Sequence, residues 1–172
     1  MKTQNGVLIP GSFDPITVGH MDIITRAAAM FDKVFVAVMT NDMSRYAEGA
    51  VDKEYLFDRQ ARVRFATAAC AHLPNVTVLE ADGLLIDLVD RLGVGAIVKG
   101  VRNEMDFAYE QKHALWNRAH NPAAETLYLP SDPSLADVSS TEVRRRLQSR
   151  EDLSDLVPTA VLALWRDEKI FE

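Results

Sequence analysis

At 172 residues and a formal net charge of −6, the chain is long enough for a single domain with an ample core, and it lacks the positive footprint of a general nucleic-acid binder. Hydrophobic residues make up 48% and charged ones 26%, the balance of a soluble globular protein, and no apolar run reaches the roughly 18 residues that span a bilayer. The one cysteine, Cys70, excludes an internal disulfide framework and a cysteine-based metal cluster, and the run from Met1 to Asn5 enters the first strand with no room for a signal peptide, so a cytoplasmic location is expected.

Short apolar runs alternate with helical patterns along the chain. Strands are predicted over 7–10, 34–39, 76–80, 96–99 and 126–129, and helices over 19–30, 58–72, 83–92, 104–119, 140–148 and 158–167. Runs such as Val34-Phe35-Val36-Ala37-Val38 suit strands buried on both faces, so the expected class is α/β with a doubly wound, parallel sheet. Ligands of such sheets bind outside the carboxyl ends of the strands. Cys70 lies on a small-residue helical face, which suits packing. The segment 41–55 is the one long loop, a functional element or a surface insertion with equal justification.

After the first strand comes Pro10-Gly11-Ser12-Phe13-Asp14-Pro15-Ile16-Thr17-Val18-Gly19-His20, then a helical pattern. A helix N-terminus offers unpaired N–H groups and partial positive charge to an anion. Gly11 permits close approach of the backbone to a ligand, Ser12 adds a hydroxyl, and Pro15 keeps Asp14 out of helical geometry. His20, in the first turn, can donate to a phosphate oxygen. After the fourth strand, Lys99-Gly100-Val101-Arg102 supplies two charge-assisted donors around a glycine. It continues as Asn103-Glu104-Met105-Asp106-Phe107-Ala108-Tyr109-Glu110, in which Asp106 and Tyr109 equally fit roles in capping and packing a helix.

The first string resembles the (H/T)-x-G-H signature of the nucleotidyltransferases, and its G-S-F-D-P-x-T-x-G-H form resembles the bacterial phosphopantetheine adenylyltransferases. Thr17 stands where the nicotinate mononucleotide and glycerol-phosphate branches usually have His. The segment from Lys99 to Glu110 is similar to the same family's (R/K)-G-(L/V)-R-x-x-x-D-F-x-Y-E pattern. The resemblance implies a Rossmann-like, mainly five-stranded parallel sheet with helices on both faces, the helices from about residue 139 packing on it. It also implies adenylyl transfer from ATP to 4′-phosphopantetheine, giving dephospho-CoA, with magnesium accompanying ATP and a homo-oligomer, usually a hexamer. No nucleic-acid or membrane partner is expected. Catalytic roles fall on His20, Lys99 and Ser12. ATP contacts fall on Ser12, Phe13, His20, Gly100, Val101, Arg102 and Glu110, and substrate contacts on Ser12, Leu85 and Lys99. The family's loop lysine after the second strand has no counterpart; Arg45 is the expected replacement, with Ser44 and Lys53 as alternatives.

A third segment reads Leu135-Ala136-Asp137-Val138-Ser139-Ser140-Thr141-Glu142-Val143-Arg144-Arg145-Arg146. Ser139 with Glu142 forms a capping-box pattern. All of Leu135, Ala136, Asp137, Val138, Ser139, Ser140 and Thr141 are expected ATP contacts by the resemblance, their hydroxyls and amides facing the triphosphate with Arg144 to Arg146 behind. The S-S-T-E-x-R-R-R form is closer to the nicotinate mononucleotide branch, which makes transfer to nicotinate mononucleotide the first alternative. A non-catalytic nucleotide-binding regulatory module is the alternative of another class.

Overall fold

A computed structural model describes residues 5–39 and 54–170. Five parallel strands form one sheet in the order β3-β2-β1-β4-β5, with β1 at Gly6–Gly11, β2 at Lys33–Met39, β3 at Val76–Ala81, β4 at Ala96–Val101 and β5 at Thr126–Pro130. Among the described residues six α-helices accompany them: α1 (Val18–Met30), α2 (Arg59–Cys70), α3 (Leu85–Leu92), α4 (Glu104–His120), α5 (Ser140–Ser149) and α6 (Thr159–Asp167). The predicted elements are all present, most with ends shifted by one or two residues. Asp58 proves to be the cap of α2, accepting from the Ala61 N–H at 2.7 Å.

The pleat alternates the strand residues between two cores. Val7, Ile9, Val34, Val36, Val38, Ala96 and Val98 pack under α1, α2, α5 and α6, whereas Leu8, Ala37, Met39 and Ile97 pack under α3. Cys70 is buried in the first core. There, Phe57, Phe65 and Trp165 meet with ring centroids 5.0 to 5.5 Å apart, joining α6 to α2.

The sheet opens where its strand order reverses. β1 pairs with β2 along its whole length, to Gly11 opposite Val38, but with β4 only at Val7–Ala96 and Leu8–Ile97. Beyond that point β1 and β4 part, and a crevice forms at their carboxyl ends. α1 seats its N-terminal half against this opening. Two glycines make the fit, though against protein rather than a ligand. A Cβ at Gly100 would lie 2.8 Å from Ile23 Cγ1 of α1, and a Cβ at Gly11 would lie 2.9 Å from the Phe13 ring.

Replacing Gly100 by alanine should therefore wedge α1 away from β4 and cost about 1–3 kcal/mol of stability. In a denaturation cycle with Ile23→Ala, the double variant should lose less than the sum of the single changes; strict additivity would show that the contact does not set the packing.

Candidate active site

The crevice is a cleft of about 460 Å³, bordered by the loop after β1, the N-termini of α1 and α5, the end of β4, and one face of α4. Its central feature is the start of α1. Thr17 is the N-cap, and the third helical position is His20, closing a capping box in which a histidine takes the place usual for Glu or Gln. His20 Nδ1 lies 3.0 Å from the Thr17 N–H and 3.0 Å from Thr17 Oγ1, which in turn accepts from the His20 N–H at 3.3 Å. An amide can only donate, so Nδ1 is the unprotonated nitrogen and Nε2 carries the hydrogen. Burial, helped by the charge of Arg102, lowers the imidazole pKa from 6.5 to about 4. His20 is thus a neutral N–H donor, held edge-on to Phe13 at 5.0 Å between centroids. Of the first-turn amides, Val18 donates to the Leu156 carbonyl at 2.9 Å and His20 to Thr17; the Gly19 N–H, also at the cleft, has no protein partner among the described residues.

The loop that carries Ser12 is anchored from beneath. Asp14 is 1% exposed; its carboxylate accepts from the Leu56 N–H at 2.8 Å and the Phe57 N–H at 2.9 Å. Arg144 Nη1 donates to the Asp14 carbonyl at 2.7 Å, and Ser140 Oγ donates to the Pro15 carbonyl at 2.8 Å. The start of α5 is so bound to the first loop.

The cations at the end of β4 are already paired. Lys99 Nζ sits 3.0 Å from Glu110 Oε2, and His113 Nδ1 approaches the same oxygen at 3.7 Å. Burial opposes ionisation of Glu110, but His113 and Lys99 outweigh it and hold the carboxyl below its usual range. Arg102 forms a fork on Asp106 at 2.7 and 3.2 Å and reaches the Val138 carbonyl at 3.4 Å. That fork, the largest influence on Asp106, lowers its pKa. The pleat sends Lys99, with Ile97, to the α3–α4 side of the sheet and Gly100 to the α1 side. The cleft accordingly has one arm by Leu85, Lys99, Glu110, His113 and Asn117, and another by His20, Val138 and Thr141.

Most residues singled out from the sequence meet here: Ser12, Phe13, His20, Leu85, Lys99, Gly100, Arg102, Glu110, Leu135, Val138, Ser139, Ser140 and Thr141 all border the cleft. Val101, Ala136 and Asp137 do not. Val101 ends the strand with its carbonyl bonded to the Ser131 N–H, and a 3-10 turn at Pro133–Leu135 leaves Ala136 and Asp137 exposed. In the third motif the expected cap at Ser139 is in place, while the Ser140 hydroxyl and two of the arginines, Arg145 and Arg146, have protein partners. Ser139 caps α5 through the Glu142 N–H, and Ser140 is spent on Pro15. Glu142 does not complete the capping box; its carboxylate binds Arg145 and Arg146, which also engage Glu151 and Asp155. Of the three arginines, Arg144 alone borders the cleft. Ser44, Arg45 and Lys53 lie outside the described residues.

Sequence reasoning missed the anchoring role of Asp14, the capping role of Thr17 and the α4 residues His113 and Asn117. The last two carry a signal, standing three and seven places after Glu110 on one helical face. Asp14 and Thr17 are polar residues inside an otherwise apolar turn.

The cytidylyltransferase-like family model matches residues 8–146. The chain is 44% identical to the phosphopantetheine adenylyltransferase of Mannheimia succiniciproducens, over 91% of this chain and 92% of that protein. It is 43% identical to that of Actinobacillus succinogenes (94% and 93% covered) and 38% identical to that of Staphylococcus carnosus (92% and 93% covered). In fold it is similar to a Vibrio parahaemolyticus structure assigned as a nicotinate-nucleotide adenylyltransferase, with a TM-score of 0.70 at 16% identity over 96% of this chain and 94% of that one. Among the described residues, no helix is long and apolar enough to cross a membrane.

The His20 ring should titrate near pH 4, not 6.5. Because its folded pKa lies below the unfolded value, the neutral ring's contribution to stability is complete above pH 6.5 and is lost as pH falls toward 4. Proton NMR of the imidazole, with melting temperatures across that range, checks both; a midpoint near 6.5 would contradict the burial argument.

Proposed function

The chain belongs to the phosphopantetheine adenylyltransferases, within the cytidylyltransferase-like family, and we propose that it moves the adenylyl group of ATP to 4′-phosphopantetheine, giving dephospho-CoA and pyrophosphate. The observation that carries the mechanism is the neutral His20, its Nε2–H set by the Thr17 cap at a helix N-terminus. A phosphate oxygen of 4′-phosphopantetheine attacks the α-phosphorus of ATP in line, a P–O bond forms, and the bond to the β-phosphate breaks. The attacking phosphate is already anionic near neutral pH, so no proton need be removed, and a histidine that titrates near 4 is suited to donate rather than to act as base. Catalysis is then positioning and charge stabilisation.

The roles follow the two arms. Lys99, beside Leu85 and the α4 face, receives the substrate phosphate, which competes with Glu110 for the ammonium. The Gly19 N–H, His20, Arg102 and Arg144 serve the triphosphate, Arg102 exchanging part of its fork on Asp106 for phosphate oxygens. Among the described residues no group of three or more His, Cys, Asp or Glu could hold a metal ion, and the cleft carboxylates Asp106 and Glu110 are engaged by cations. Such a lining fits magnesium carried by the triphosphate and water, supplying further charge neutralisation when ATP is bound. A homo-oligomer, by family a hexamer, goes with the exposed apolar residues of α4, where Met105 is 80%, Leu115 63% and Tyr109 52% exposed. A cytoplasmic location also goes with this reading.

The names of the curated relatives and Thr17 favour pantetheine over nicotinate mononucleotide as acceptor. Magnesium-dependent pyrophosphate release should appear with ATP and 4′-phosphopantetheine, should stop on chelation, and should be absent with nicotinate mononucleotide; the reverse preference would overturn the assignment. His20→Ala should lower turnover roughly 100-fold or more, about 3 kcal/mol, while ATP still binds. Near-normal turnover would remove His20 from the mechanism.

A further inference from the structure

Arg62, in the first turn of α2, is 1% exposed, does not border the cleft, and has no part in the roles above. Among the described residues its guanidinium has no carboxylate at hydrogen-bonding distance. It donates instead to three main-chain carbonyls: Nη1 to Ser12 at 2.6 Å and to Met39 at 3.4 Å, and Nε to Phe57 at 3.2 Å. The Tyr55 ring covers it at 4.2 Å from the guanidinium carbon. Burial works to lower its pKa and is opposed by the field of Asp14. A buried cation is costly unless every donor is used, and here the donors tie together the loop after β1, the end of β2 and the entry to α2.

The shortest of these bonds has a geometric consequence at the cleft. The Ser12–Phe13 peptide is trans, since Asp14–Pro15 is the cis bond of the described chain, and in a planar trans peptide the carbonyl and the following N–H point in opposite directions. Drawing the Ser12 carbonyl to Arg62, which does not border the cleft, turns the Phe13 N–H the other way, and Ser12 and Phe13 both border the cleft. No partner for the Phe13 N–H occurs among the described residues. Phe13 has φ of +46°, a left-handed conformation that a bulky side chain keeps only where its surroundings impose it. Its ring packs where a Cβ of residue 11 would stand and lies edge-on to His20 at 5.0 Å between centroids.

We propose that Arg62 is a positioning residue for the transfer: it fixes the Ser12–Phe13 peptide so that the Phe13 N–H faces the phosphates bound in the cleft. The identity of those phosphates rests on the function proposed above. A donor fixed in this way contributes as the transferring group develops charge, and a small misplacement of it is enough to slow the reaction strongly.

Arg62→Gln should lower kcat about 100-fold with the KM for ATP changed less than about threefold, and Arg62→Lys, which keeps the charge and one donor for the Ser12 carbonyl, should recover part of the loss. A purely structural role would lower the melting temperature of both variants and leave the kcat of the folded fraction unchanged, which would overturn the proposal. The wild-type protein provides a test that no folding defect can confuse. On addition of ATP alone, the Phe13 amide resonance should shift together with those of Gly19 and Arg102. If Gly19 and Arg102 respond while Phe13 stays still, Arg62 does not present that amide and the proposal fails with the function intact. If no cleft amide responds and no pyrophosphate is released with either acceptor, the function falls and takes this role with it.

Discussion

A buried carboxylate sets the geometry of the first loop. Asp14 is almost wholly removed from solvent, and both its oxygens are taken up by the amides of Leu56 and Phe57, 42 and 43 residues further on. Two cations stand near it: Arg144 with Nη1 3.8 Å from the carboxylate, and Arg62, whose field interaction with Asp14 opposes the effect of burial. Removing one partner of a buried charge typically costs about 3–5 kcal/mol, more than most single contacts and a large share of a domain's stability. The loop therefore has little freedom: it must close where the amides ahead of α2, the start of α5 and the end of β2 converge. The strained Phe13, the seat of His20 and the placement of Ser12 all follow from that closure.

The cleft that results suits the proposed binding of phosphates without donating or accepting protons near neutral pH. Its histidine is held neutral by burial and by the Arg102 charge, and its lone nitrogen pair is spent on a helix cap. Lys99 and Arg102 wait on Glu110 and Asp106, which keeps two cations organised near the sheet before any phosphate arrives. Under the function proposed above, an incoming phosphate exchanges one anionic partner for another, so the cations need not be ordered or desolvated afresh at the moment of binding. The carboxylates thus act as placeholders as much as contacts.

Several parts of this arrangement are visible in the chain itself. The five strands stand out because a parallel strand covered on both faces is a continuous apolar run. The cap at Ser139 stands out because a short polar side chain satisfies a first-turn amide locally, whereas the cap of α4 is Asn103 and not Asp106, which Arg102 holds. The site of His20, Lys99 and Arg102 could be read because Lys99 and Arg102 stand at the carboxyl end of β4 and His20 in the first turn of the helix that follows β1. Where local pattern misled, another protein group, near or far in the chain, had claimed the side chain. Ser140 looks free for a ligand until Pro15, 125 residues earlier, takes its hydroxyl. Arg145 and Arg146 look like phosphate ligands until Glu142, Glu151 and Asp155 engage them. Gly11 and Gly100 border the cleft, yet the space a Cβ would take at either is closed by a protein side chain, Phe13 or Ile23.

Strand and helix order, the caps, the family and the residue types of the active site are properties of segments a dozen residues long, and such segments carry their own patterns of burial and hydrogen bonding. Which of those polar groups stays available is a question of long-range closure. Each donor and acceptor is claimed by the best partner that folding brings within about 3 Å, and for Arg62, Asp14 and Glu110 that partner comes from another segment of the fold.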